Sequence, residues 1–387
     1  MKLKVFLIIP VLLIISAGCS KSLPKDYVEH VNHSQQFIDE NNLDQALIEV
    51  EEALSIDSEA PEAYVQKGFI HLAKGEINQA KEALTYVSNH LDDFLEEESL
   101  YAGLLNIGNL NYQLEDYTLA LDYFLKALDI NDLDPILYNA MGLCYISLGD
   151  LENAKVAYSK AIDLDNENFY AYGNLASVFL REGEIKRGLN EINTALNLNS
   201  YIPQFYLIKG ELLIGDNRSG EAIMNYSNAI GIWDTFGDAY FKRGELYLDN
   251  EDYLNAINDF SYAKDYGMVE GLLGMGYSYK GLQQYDQAIT AFSEYLANLE
   301  SIDLKAVYEI AIMYYQLEDY NEAINAIDEL LKLEPNDTEA LLIKAYSYEK
   351  LIQYEKALEV LNIILSIDPN HEKAIDEVEF MKDNNLR

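Results

Sequence analysis

The chain repeats itself with a period of about 34 residues. Gly or Ala stands at the eighth position of each repeat: Gly68, Gly108, Gly142, Ala176, Gly210, Gly244, Gly276, Ala311 and Ala345. Twelve residues later comes a second small residue: Ala80, Ala120, Ala154, Gly188, Ala222, Ala256, Ala288, Ala323 and Ala357. A period of this length is one supersecondary unit, too short to bury its own apolar face. The chain must therefore fold as a stack in which each unit contacts mainly its neighbours.

Within a repeat, apolar residues recur at helical spacing, break at a short turn, and recur again. In 135–168, Tyr138, Met141, Gly142 and Tyr145 lie on a first helix, Gly149 and Asp150 end it, and Ala154, Tyr158 and Ala161 lie on a second. The spacing predicts two antiparallel helices per repeat, with position 8 facing position 20 so that the axes close to about 8–10 Å. Glycine in a helix costs roughly 0.5–1 kcal/mol, which close packing must offset. Aromatic residues at positions 4, 11 and 24, such as Tyr172, Tyr247 and Phe292, account for much of the tyrosine content and read as core. The repeats run 27–60, 61–100, 101–134, 135–168, 169–202, 203–236, 237–268, 269–303, 304–337 and 338–371, forming one array over 27–371, followed by a capping helix and tail over 372–387. Two repeats depart in length. The 61–100 repeat carries six extra residues around 91–99, expected to lengthen its second helix or form an acidic loop. The 237–268 repeat is two residues short near Tyr266-Gly267-Met268, where a local bend is expected.

This small–aromatic–Ala–aromatic–Ala pattern resembles the tetratricopeptide repeat (TPR) motif over 61–371, with 27–60 a degenerate first copy in which Ser34 replaces the glycine. The resemblance implies an all-α, right-handed superhelical solenoid of about ten helical hairpins with a C-terminal capping helix. It also implies that first helices line the concave face through positions 2, 5, 6, 9, 12 and 13, where a protein or peptide partner would bind.

Over 61–202 those positions are apolar with interspersed amides, and among them only Glu62 and Arg181 are charged. Amides donate to and accept from a peptide backbone while apolar residues hold its side chains. Asn106, Asn109, Tyr112, Asn139, Leu143, Asn174, Ser177 and Arg181 are the candidate groove residues. One subclass of the family grips acidic chaperone tails with a Lys/Arg/Asn clamp; here the lysines and arginines next to Asn106, Asn109 and Asn139 are missing. Over 203–371 the face is more charged, with Glu211, Lys242, Glu245, Lys280, Glu309 and Glu349 among its residues.

The net charge of −39, from 66 acids against 27 bases, opposes binding to nucleic acid or anionic lipid headgroups. The N-terminus reads differently. Lys2 and Lys4 precede an apolar run from Val5 to Ile15, too short to span a bilayer, and Ser16-Ala17-Gly18-Cys19 follow. This resembles the lipobox of bacterial lipoproteins, with Ser16 in place of the usual leucine. The resemblance implies a signal peptide over 1–18, removed before Cys19, a lipidated tether over 19–26, and membrane contact only through the lipid on Cys19. The location implied is the extracytoplasmic face of a bacterial membrane.

No motif points to catalysis, a cofactor, a metal or a small-molecule substrate. Cys144 lies in an apolar helix with no second cysteine to pair with, and reads as a buried hydrophobe. His30 and His33 sit three apart on a predicted helix, but two ligands seldom make a metal site. Asp163 to Asn168 echoes half of a calcium loop and is read as a polar inter-repeat turn. Since few residues lie outside the repeats, no catalytic domain is expected. The expected function is a protein-interaction scaffold or assembly factor at the cell envelope. The alternatives are a glycan or cell-wall polymer binder, using the aromatic face, and a non-catalytic subunit of an envelope enzyme complex.

Overall fold

The structure is a computed structural model and describes residues 24–94, 97–384 and 386. Among the described residues there are twenty-one α-helices and no strand. They fall into two compact units that divide after Ser200. The first holds five hairpins: α1 (Lys25–Asp39) with α2 (Leu43–Ile56), α3 (Pro61–Ala73) with α4 (Ile77–Asn89), α5 (Glu97–Gln113) with α6 (Tyr117–Leu128), α7 (Pro135–Ser147) with α8 (Leu151–Leu164), and α9 (Phe169–Glu182) with α10 (Ile185–Leu198). The second holds α11 (Pro203–Gly215) with α12 (Ser219–Ile232), α13 (Gly237–Asp249) with α14 (Tyr253–Asp265), α15 (Glu270–Gly281) with α16 (Tyr285–Ala297), α17 (Leu304–Gln316) with α18 (Tyr320–Leu333), α19 (Thr338–Lys350) with α20 (Tyr354–Ile367), and then α21 (Glu372–Asp383). The expected signal peptide over 1–18, Cys19 and residues 20–23 of the expected tether lie outside the described residues; Lys25 and Asp26 belong to α1.

Each hairpin is built by the same local devices. Proline occupies the first turn of α3, α7 and α11, where its missing N–H costs nothing. Position 15, in the tight turn between the two helices, is left-handed in all ten hairpins, occupied by Gly75, Gly149 and Gly183 in three and by residues such as Asn41, Asn217 and Ile352 in the others. At the next position Asp116, Asp150, Asp252 and Asp319 cap the second helix, each carboxylate accepting from the backbone N–H three residues on. Part of the acid surplus therefore serves as helix caps.

The tight packing within a hairpin involves a different pair from the one the spacing suggests. A Cβ on the position-8 glycine would collide with the side chain at position 24, not position 20. Added to Gly108, Gly142, Gly210 or Gly276 it would fall within the ring of Phe124, Tyr158, Tyr226 or Phe292. The two positions vary together in size. Where position 8 is Ala176, Ala311 or Ala345, position 24 is Ile192, Ile327 or Leu361 rather than an aromatic ring. Gly68 with Leu84 is the exception. The position-20 residues are fully buried beside this contact, as Ala120 and Ala154 show.

Within each unit, successive hairpins stack through second-helix to first-helix contacts, and some successive first helices also touch, α3 with α5, α7 with α9, α13 with α15 and α17 with α19. Second helices do not approach one another to the same extent, so the first helices form the inner side of each unit.

Both length variants have a local solution. The six extra residues neither lengthen α4, which ends at Asn89, nor form only a loop: a 3-10 turn covers Leu91–Asp93, and the remainder starts α5 early, at Glu97, giving it 17 residues. In the short repeat, Gly267 takes φ +94° and the chain enters α15 directly. This brings α15 onto α14 so closely that a Cβ on Gly271 would lie 2.5 Å from the Phe260 carbonyl oxygen, and one on Gly274 would lie 2.6 Å from the Phe260 ring. The two glycines make the shortened connection possible.

Candidate functional site

The first-helix face of the first unit runs over α3, α5, α7 and α9. Its amides are recessed. Asn106 is 2 % exposed, and Asn109, Asn139 and Asn174 are likewise buried. Asn174 Nδ2 donates to Asn139 Oδ1 at 2.9 Å, joining α9 to α7. Gln66 Nε2 donates to the Val31 carbonyl at 3.2 Å and joins α3 to α1. Two acceptors in this row have no partner among the described residues: Gln66 Oε1 and Asn106 Oδ1. A buried acceptor left unbonded costs about 1–3 kcal/mol, and both oxygens are closed off from solvent in this structure.

Leu143 is buried among the same helices. Tyr112 is half-buried, edge-on to Tyr117 with ring centres 5.3 Å apart. Ser177 Oγ donates to its own helix, to the Asn174 carbonyl at 2.7 Å. Arg181 is exposed at the end of α9. The structure thus places Asn106, Asn109, Asn139, Asn174 and Leu143 in the floor of this face, and Tyr112, Ser177 and Arg181 nearer its rim. Glu62, the other charged residue at these positions, is buried.

The corresponding face of the second unit is charged and largely satisfied from within. Lys242 Nζ lies 2.8 Å from Glu245, and Lys280 Nζ lies 2.6 Å from Glu309. Burial pushes the Glu211 carboxyl above the usual range; Lys242 opposes the shift and Asp238 and Glu245 add to it. At the far end, burial and a hydrogen bond with Glu349 raise Glu377 to about 7.

The remaining chemical candidates resolve into packing. Cys144 is buried, and burial pushes its thiol up to about 12, so it stays protonated and unreactive at neutral pH. His30 and His33 turn toward one carboxylate, Glu49, at 2.7 and 3.7 Å, and no three metal-binding side chains gather among the described residues. Of 163–168, Asp163 and Leu164 end α8, and 165–168 is an inter-repeat connection in which Asn168 caps α9. No described helix is long and apolar enough to cross a membrane.

Sequence reasoning did not anticipate the ion pair between Arg243 and Asp259. Arg243 grips Asp259 with two hydrogen bonds, Nε to Oδ2 at 2.7 Å and Nη2 to Oδ1 at 2.8 Å, and its Nη1 donates to Ser227 Oγ at 2.8 Å. The only available signal was that positions 7 and 23 of the 237–268 repeat are charged where the helices meet.

Comparison with known proteins agrees with this architecture. The tetratricopeptide repeat model matches residues 101–132 and a TPR repeat model matches 142–183. A model of anaphase-promoting complex, cyclosome, subunit 3 matches 281–363. A TPR repeat-containing protein of Methanocaldococcus jannaschii is 27% identical over 220 residues, 57% of this chain and 34% of its own length. DnaJ homolog subfamily C member 3 of Rattus norvegicus is 23% identical over 210 residues, 50% of this chain and 42% of its own. The matched region therefore spans about a third to two-fifths of these relatives. The crystal structure of a tetratricopeptide repeat protein from Parabacteroides merdae superposes with a TM-score of 0.52 at 18% identity, covering 66% of this chain and 99% of that one. The chain carries tetratricopeptide repeats and folds as a TPR solenoid.

Proposed function

We propose that this TPR chain is a non-catalytic protein-interaction scaffold held at a bacterial cell envelope by a lipid on Cys19, and that the first-helix face of its first unit receives an extended segment of a protein partner. The observation that carries the reading is the nearly uncharged first-helix face of α3, α5, α7 and α9, in which amides are recessed in the floor and, among the described residues at its groove positions, only Arg181 is an exposed charge. An extended peptide brings a regular series of N–H donors, which such a face can receive. A polyanionic partner does not suit a chain of net charge −39.

The test has two arms. Cys19→Ala should release the protein from membranes or leave its precursor uncleaved; unchanged fractionation and processing would defeat the anchoring. A photo-crosslinking residue at Ser177 should capture a protein partner in the native cell, whereas the same residue at Lys186 on α10 should not. Capture from Lys186 alone would move the binding site away from the first-helix face. A glycan retained on an array, with no protein captured, would favour the polymer-binding alternative.

A further inference from the structure

We propose that the inner face of the second unit, around Glu211 on α11, receives a lysine or arginine side chain of a protein partner. This surface is separate from the neutral face of the first unit and does not depend on how that face is used.

One ammonium here stands among several carboxylates. Position 6 of a first helix comes up to position 9 of the first helix before it, as Gln66 does to Gln35 at 3.4 Å. Lys242 on α13 and Glu211 on α11 hold the same two positions. Lys242, however, is taken by its own helix, with Nζ 2.8 Å from Glu245. Glu211 is left half-buried, with no ion pair and no hydrogen bond among the described residues. The other lysine at the groove positions of α11, α13 and α15 is Lys280, and Glu309 takes it at 2.6 Å. Helix ends do not relieve Glu211 either. Asp238 and Glu270 lie in the first turns of α13 and α15, where free backbone N–H groups favour a carboxylate. Glu211 lies well inside α11, and burial pushes its carboxyl above the usual range.

Beside Glu211 is a polar group that packing does not require. Tyr226 is fully buried, and its hydroxyl has no partner among the described residues. A Cβ on Gly210 would lie 2.8 Å from Cζ, the ring carbon that bears this hydroxyl. The hydroxyl therefore ends next to the turn of α11 that carries Glu211. Phe260 and Phe292 fill the same place in the two following repeats without a hydroxyl.

These groups suit an organic cation. No three metal-binding side chains gather among the described residues, so the carboxylates are not set around one small ion. An ammonium or guanidinium carries several donors that reach oxygens in different directions. Phe241, half-buried beside Lys242, offers a ring along which the methylenes of such a side chain can lie. A protein segment fits better than a free amine, because stacked repeats present their inner face as one long surface on which contacts either side of the cation add to it. The excess of 66 acids over 27 bases draws basic segments toward the chain.

The experiment uses the purified full chain and three immobilised random heptapeptide libraries, blocked at both ends, with Lys, Gln or Glu fixed at the centre. At low salt wild type should retain the Lys library about fivefold over the Gln library, the upper end for a partly exposed pair, and high salt should erase the preference. Any acidic protein attracts lysine, so the deciding comparison is between two variants of equal charge. Glu211→Gln should abolish the preference with no fall in melting temperature, since the carboxylate has no partner to lose. Glu294→Gln, at an exposed position on α16, should keep it. Glu211→Lys should turn the preference toward the Glu library. Equal retention of the Lys and Gln libraries by wild type overturns the proposal. So does a preference that survives Glu211→Gln, or one that Glu211→Gln and Glu294→Gln reduce alike, which is attraction by net charge alone. A preference lost in Asn106→Ala but kept in Glu211→Gln belongs to the first unit and overturns it as well.

Discussion

Asn174 donates to Asn139 across 2.9 Å between two successive first helices. The same residue type on the preceding first helix, Asn106, is equally buried, and its oxygen has no partner among the described residues. The amides of this face are therefore of two kinds, one bonded across the scaffold and one buried with an oxygen that has no partner among the described residues. Removing Asn139 leaves the Asn174 amide without its acceptor, so Asn139→Ala should cost about 1–3 kcal/mol of stability. Asn106→Leu, which removes an unbonded acceptor, should be nearly neutral in the absence of partner. Thermal melts of the two variants check this; equal losses would contradict the distinction.

Tyr158 covers Gly142, and the size covariation between positions 8 and 24 makes a double-variant prediction. Gly142→Ala forces the ring to move and should destabilise the first unit by about 1–3 kcal/mol. Gly142→Ala/Tyr158→Ile reproduces the pair already present as Ala176 and Ile192, and should recover part of the loss. A double variant less stable than the sum of the two singles would contradict the steric account.

How much of this was legible in the sequence follows from which signals are periodic. The ten hairpins could be read because small residues and turns recur, and each of the ten turn positions is left-handed even where the residue is not glycine. The position-24 rings were visible as core, yet their true neighbour was not, because helical spacing alone does not say which turns of two antiparallel helices lie level. The candidate face was legible as a row of positions. The depth of its amides was not, since burial depends on how closely successive hairpins stack. The Arg243–Asp259 pair occurs once and has no periodic signal.

Asp259 is 1 % exposed and holds Arg243 by two hydrogen bonds. Asp259→Ala leaves a guanidinium half-buried among Tyr240, Tyr247 and Ser227 without its counter-ion. The second unit should lose about 3–5 kcal/mol, read as a lower midpoint in urea. A loss below about 1 kcal/mol, the value of a surface pair, would show that the site is wetter than its geometry implies.

Ile352 takes φ +59° in the turn between α19 and α20, a conformation that strains a β-branched side chain. Its side chain is 73% exposed, so little packing is lost by removing it. Ile352→Gly should raise stability by roughly 1 kcal/mol, with a higher melting temperature as the readout. A fall in melting temperature would mean that the exposed side chain contributes more than the backbone strain costs.

Glu377 on α21 interacts electrostatically with Glu349 and Lys350 on α19 and with its neighbour Asp376. Burial is the largest cause of its rise to about 7, followed by the hydrogen bond with Glu349. A carboxyl whose folded value is raised contributes stability that is fully present below its unfolded value, about 4.3, and is lost as pH rises through the folded value. Docking of α21 should therefore weaken between about pH 4.5 and 7, and Glu377→Gln should flatten that dependence. Hydrogen exchange of α21 amides across this range measures it; protection that grows with pH would reverse the sign.

The central claim is that a partner segment lies on the first-helix face of the first unit and is held mainly by neutral groups. The direct measurement is a titration of the captured partner segment against wild type and Asn106→Ala/Asn109→Ala at low and high salt. Among the described residues neither amide is bonded to another side chain, so the double variant should fold normally. Each net hydrogen bond is worth about 0.5–1.5 kcal/mol, so affinity should fall roughly tenfold in the variant. It should change little with salt in both proteins, since at most one charge pair is involved. Equal affinities for wild type and variant, together with a steep loss in salt, would place the partner on the acidic outer surface and contradict the account.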